Sequence, residues 1–202
     1  MEHLLPRKSG RPLSFERQTA LQKAMLTFWQ HGYETTSVND LTQVMGITAP
    51  SLYAAFGDKK RLFLEAMRLY AQPPDALQAQ LDAAPTARFA AQQMLTAAAQ
   101  GFTGDTTPPG CLLASATASG STGAAEVQAE VAAIRSDIIN RLTRRIARDR
   151  VPNAAALAAM VVALIQGMSV LARDGMPRDS LLALAGCALA GWPDPVPEGS
   201  HG

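Results

Sequence analysis

Residues 37–60 read SVNDLTQVMGITAPSLYAAFGDKK, and the punctuation of this stretch decides the fold. Ser37, followed three residues later by Asp40, is a capping box that opens a short helix through Leu41 and Val44, and Gly46 ends it. Thr48 is the next N-cap, with Pro50 in the first turn, where a missing amide hydrogen costs nothing. Ser51 to Phe56 completes that second helix. Gly57 stops it, and Asp58 caps a restart that runs to about Gln72. Two helices joined by about four residues centred on Gly46 have the spacing of a helix-turn-helix.

Upstream, Leu21, Ala24, Met25, Phe28 and Trp29 follow three-and-four spacing, which predicts a helix over 15–30 closed by Gly32. Leu41, Val44, Ile47, Leu52 and Phe56 are expected to fix the two short helices against each other and against residues 21–29. The remaining face of the second helix carries Thr48, Ala49, Pro50, Ser51, Tyr53, Ala54 and Ala55. These are small or polar, so its backbone can approach base edges in a DNA groove. An ordinary helical hairpin with an exposed second helix has the same spacing; three further features favour DNA. Thr36 and Ser37 bring hydroxyls and free amides to a helix N-terminus, a ready phosphate site. Lys59 and Lys60 stand at the positive end of the next helix, where the macrodipole disfavours cations, so a partner anion is expected. RKSGRP at 7–12 is a basic arm, and Arg11 entering a narrow minor groove would favour A·T-rich flanks; the bland alternative is a tail that contacts nothing.

Charge is distributed in keeping with this. The net charge is only +1, but residues 1–72 carry nine Lys/Arg against six Asp/Glu, while residues 73–202 carry nine against eleven. A basic head on a slightly acidic body suits one end meeting a polyanion.

No stretch alternates as a strand does, so the chain reads as all-α: an N-terminal three-helix head followed by a larger helical body. Pro73 and Pro74 mark the break, and 30 of the 37 alanines follow it, which implies close helix packing. Helices are expected near 75–83, 86–101, 111–119, 124–149, 153–174 and 178–190, between turns such as TGDTTPPG and SGSTG. The division is thus 1–13 basic arm, 14–57 helix-turn-helix, 58–72 linker helix, 73–191 ligand-binding and dimerisation body, and 192–202 loose tail.

The stretch TTSVNDLTQVMGITAPSLYAAFGDKKRLFLEAM resembles the DNA-binding head of the TetR family of one-component transcriptional regulators, from about Phe15 to Tyr70. Beyond it the body matches only in helical pattern and length. The resemblance implies that Ser37 and Asn39 touch DNA, that Thr48, Ala49, Pro50 and Ser51 face the bases, and that Tyr53 and Lys59 hold phosphates. It also implies a ligand-responsive repressor on a palindromic operator. No Arg, Gln or Asn lies between 48 and 56, so bidentate base contacts from this helix are excluded. Thymine methyls against Ala49 and Pro50, the Ser51 hydroxyl, Asn39 and the arm are left to read sequence.

Two heads require a dimer. Leu157, Val161, Leu164, Met168 and Leu171 recur at four-three spacing, and Leu181, Ala185 and Ala188 give the next helix a similar stripe. Such stripes can also face their own core; the family resemblance, with dimerisation through the last two long helices, favours a homodimer. It further implies an effector pocket in the body for a small-molecule inducer, with candidate lining Phe89, Met94, Phe102, Cys111, Leu112 and Leu113. Cys111 follows TTPPG and reads as a small buried hydrophobe or as a thiolate activated at a helix N-terminus. Arg141, Arg144, Arg145 and Arg148 share a face that reads as solvated and paired with Asp137 and Asp149.

Other classes find little support. Cys111 and Cys187 are far apart, the three histidines are His3, His31 and His201, and neither a metal motif nor a nucleophile set is visible, so no cofactor and no enzyme are expected. A dimeric helical adaptor without DNA binding keeps the seam but leaves Lys59 and the arm without a purpose. Ala154–Ala172 is apolar but alanine-rich and interrupted by Gln166, Gly167 and Ser169, so a buried helix is expected rather than a membrane span. With no apolar leader in residues 1–20, the cytosol is the expected compartment.

Overall fold

The computed structural model describes residues 15–71, 73–115 and 122–197. Arg11, the rest of the arm and the end of the tail lie outside the described residues.

The described residues are helical, with no strand among them. The head comprises α1 (Arg17–His31), α2 (Val38–Met45) and α3 (Ala49–Phe56), and α4 (Lys59–Ala71) leads out of it. The caps fall where the sequence puts them. The Ser37–Asp40 capping box is complete, and Thr48 Oγ1 accepts from the Ser51 amide. Gly46 is left-handed (φ 70°), and its N–H and that of Ile47 turn back onto the last carbonyls of α2, at Gln43 and Thr42. The cap of α1 was not foreseen: the Glu16 carboxylate accepts from the Gln18 and Thr19 amides at 3.1 and 2.5 Å.

Leu41, Leu52 and Phe56 are buried as expected, with Met45. Val44 is 42% exposed instead. In an eight-residue helix the position beside it, Met45, falls on the inner face. Phe28 meets Phe63 of α4 edge-on at 5.0 Å, with Tyr33 against the same ring at 4.9 Å, so α1 and α4 share one aromatic core.

The body holds α5 (Pro74–Ala83), α6 (Ala87–Phe102), α7 (Leu112–Ser115), α8 (Thr122–Arg148), α9 (Ala154–Arg173) and α10 (Arg178–Ala190). Helix α9 lies between α8 and α6, α10 packs on α6 and α9, and α5 on α8. Arg145, expected on a solvated face, is only 5% exposed. It donates to the carbonyls of Leu81 (2.9 Å) and Ala84 (3.0 Å) at the end of α5 and pairs with Asp149, whose other oxygen accepts from the Ala87 amide at the start of α6. One buried cation thus finishes α5 and, through Asp149, starts α6. Arg148 does lie at the surface, paired with Asp82, whereas Arg141 is half-buried, paired with Asp137 and donating to Gln78 of α5 at 3.3 Å.

Head and body meet around Gly110. The Trp29 indole N–H donates to the Gly110 carbonyl at 3.0 Å, and Arg173 of α9 donates to the Trp29 carbonyl at 3.2 Å. A Cβ on Gly110 (φ +79°) would come within 2.7 Å of the Ser169 carbonyl, so this approach needs glycine.

Candidate nucleic-acid interface

Helix α3 is held by two buried side chains, Leu52 and Phe56, and presents the rest outward. Tyr53 is 49% exposed, Thr48, Pro50 and Ala54 are exposed, and Ala49 and Ser51 are half-buried. The Ser51 hydroxyl lies 3.0 Å from that of Thr48, so one of the two donates to the other and the second hydroxyl keeps its proton for an outside acceptor. Ser37 and Asn39 are exposed at the start of α2. Asp40 accepts from both the Ser37 amide (2.8 Å) and its hydroxyl (2.7 Å). The Ser37 hydroxyl bond, first, and the amide bond hold the Asp40 carboxyl below the usual range.

Two expected contacts are otherwise engaged. Thr36 is 1% exposed, and its hydroxyl donates to the Gly32 carbonyl at 2.6 Å, so that side chain faces inward. Lys60, for which an external anion was expected, forms an ion pair with Glu126 of α8; the sequence could not place a carboxylate 66 residues away beside it. Lys59 stays near the outer surface. Its ammonium sits 4.6 Å from the centre of the Tyr33 ring and donates to the Glu34 carbonyl at 3.4 Å, with partial burial pulling its pKa down.

Two side chains escaped the sequence reading. Gln43 is exposed at the corner between α2 and α3 and lines a shallow depression with Gly46, Thr48 and Ser51. An exposed Gln two residues before the end of a motif helix is the signal that could have found it. Arg17 is the other; its partners in α3 and α4 are not adjacent in sequence.

The remaining candidate residues separate into groups. Phe89 (41% exposed) and Met94 line a groove of about 480 Å³ between α5 and α6, with Leu77, Leu81 and several glutamines. Phe102, Cys111, Leu112 and Leu113 are packed into the core away from that groove, at 5%, 4%, 0% and 7% exposure. Cys111 precedes α7, and its sulfur accepts from the Tyr70 hydroxyl at 3.3 Å while its amide donates to Ser169 Oγ at 2.8 Å. Burial raises the Tyr70 pKa above the ordinary phenol range, so that hydroxyl keeps its proton. The packing reading of Cys111 fits this environment; Cys187 is exposed on α10.

The heptad stripe turns inward only in part. Val161, Met168 and Leu181 are fully buried within the single chain, Ala185 is 5% exposed, and Leu157, Leu164, Leu171 and Ala188 are half-buried. Outward on α9 lie Ala156, Met160, Ala163, Gly167 and Val170, and outward on α10 lie Ala183, Gly186, Cys187 and Ala190. An alanine-rich helix that is apolar all round satisfies the same spacing on two faces, and its own core claims the larger residues.

The family profile for bacterial regulatory proteins, tetR family, matches residues 20–66. The chain is 37% identical over 196 residues to the HTH-type transcriptional repressor ComR of Escherichia coli (strain K12), covering 93% of each chain. It is 42% identical over 64 residues to the repressor BdcR of the same organism, 32% of each chain. Among solved structures it resembles a cysteine mutant of the TetR family regulator CifR in complex with 26-base-pair double-strand operator DNA. That match has a TM-score of 0.83 at 38% identity and covers 91% of this chain and 100% of the other.

Proposed function

Given that this chain belongs to the TetR family of transcriptional regulators, we propose that it is a repressor that binds a palindromic operator as a homodimer and is released by a small molecule. The observation that carries the DNA-binding part is the outward face of α3: capped at Thr48, free of bulk except Tyr53, and continuous with Ser37, Asn39 and Lys59. Ala49 and Pro50 offer apolar contact to thymine methyls, while Thr48, Ser51 and Gln43 supply hydrogen-bonding groups. Tyr53 and Lys59 hold phosphates, while the Ser37 and Asp40 amides are engaged by the capping box. Arg11 remains part of the proposal as a minor-groove contact.

Dimerisation is supported by α9. It has a mean hydropathy of 2.1 over its most apolar window, of which only 28% is buried, and by length and composition alone it could cross a membrane. Six of its 20 residues are buried in the bundle, so the uncovered Met160–Gly167–Val170 stripe calls for a second protein surface. Small residues there allow close helix approach, and the exposed small residues of α10 extend the surface. Two heads on one two-fold axis match a palindrome. The groove beside Phe89 and Met94 is the proposed effector site, and the cytosol follows from the function.

An electrophoretic shift on DNA upstream of the protein's own gene tests the reading. Saturable, salt-sensitive binding with one dimer per site supports it; a strictly monomeric protein that treats this DNA like random sequence contradicts it.

A further inference from the structure

We infer that Arg17 is a positioning residue for operator recognition, fixing the seat of α3 without itself touching DNA. It is the first residue of α1, directly after the Glu16 cap, where the helix dipole disfavours a cation. Its guanidinium is held by other elements. Nη1 and Nη2 donate to the two oxygens of Glu65 on α4, at 2.5 and 2.7 Å, a bidentate pair. Nη2 also donates to the Ala55 carbonyl at 3.3 Å, and the guanidinium carbon sits 4.4 Å from the centre of the Phe56 ring.

Ala55 and Phe56 are the last two residues of α3, where carbonyls lack partners in their own helix. One planar group from α1 therefore satisfies the end of α3, stacks on its terminal ring and is locked in orientation by α4. With only eight residues and two buried side chains, α3 has little else to fix its rotation about its axis. Arg17 and Glu65 are 39% and 32% exposed, so the pair adds little to global stability. Its effect belongs in recognition.

This inference rests on α3 being the recognition helix, and the test separates the two. Full-length wild type, Glu65→Gln, Arg17→Lys and Arg17→Ala are titrated with the DNA upstream of the protein's own gene, as the operator probe, and with random-sequence DNA across a salt series, and their melting temperatures are recorded. Glu65→Gln and Arg17→Lys should weaken operator binding about tenfold. Random-sequence affinity and the salt slope should stay near wild type, as should melting. Were Arg17 instead a phosphate contact, Glu65→Gln would release it to bind as well or better, and Arg17→Ala would lower the salt slope by about one. Either of those results overturns the inference, as does an equal loss on both DNAs. If Arg17→Ala does not fold, the two conservative variants carry the test. A wild type that cannot tell operator from random DNA defeats the regulator reading itself, a result distinct from a wild-type-like Glu65→Gln.

Discussion

Helices α3 and α9 both turn small side chains to solvent, in opposite chemical surroundings. On α3 the exposed residues alternate hydroxyls with alanine and proline, a lysine follows within one turn of its end, and caps fix where the helix begins. On α9 the exposed stripe of Met160, Ala163, Gly167 and Val170 has no hydrogen-bonding side chain, and no charge interrupts the helix before Arg173. Smallness therefore means access in both places. The surrounding chemistry decides what each would admit under the proposed function: a polyanion at α3, an apolar helix at α9.

The largest expected effect breaks the α9 side of this comparison. Val170→Glu puts a carboxylate on the outward stripe and should convert the dimer to monomer in sedimentation velocity, with operator affinity falling by about two orders of magnitude. An intact dimer would remove α9 from the interface. Val161→Ala, about two and a half turns away and inward, should act differently. It removes buried methyls and should cost about 2 kcal/mol by denaturant melting, at a protein concentration high enough to keep the dimer assembled.

A smaller effect sharpens the α3 side. Lys59→Ala should lower the slope of log affinity against log salt by about one, whereas Lys60→Ala, already paired with Glu126, should leave it nearly unchanged. Equal slopes for the two would mean that the Glu126 pair opens on DNA. Smallest is Asp40. Its pKa is depressed in the folded state by Ser37, so its contribution is present above the unfolded value of about 4 and is lost as pH falls through the folded value. Asp40→Asn should melt earlier than wild type at neutral pH, with the two converging in acid.

What the sequence made legible follows from the range of the forces involved. Caps, glycine stops and the capping box act within four residues, so the bounds of α2 and α3 and the outward face of Tyr53 could be read directly. The phase of α9 could not. Apolar residues all round leave the choice of inner face to helices far away in sequence, and Val161 and Met168 went to the core. Lys60, Arg145 and Arg17 were beyond reach for the same reason: their partners Glu126, Leu81 and Glu65 are brought to them by tertiary packing. Thr36 shows the converse error, a hydroxyl expected to face outward that the carbonyl at Gly32, four residues back, draws inward.

The central claim is that the outer face of α3 enters the duplex, and operator titration of Ala54→Glu tests it most directly. Ala54 is exposed, and the buried residues that hold α3 are Leu52 and Phe56. A carboxylate placed there should cut operator affinity about a hundredfold while the melting temperature stays at the wild-type value. Wild-type affinity from a folded Ala54→Glu protein would mean that DNA meets some other surface.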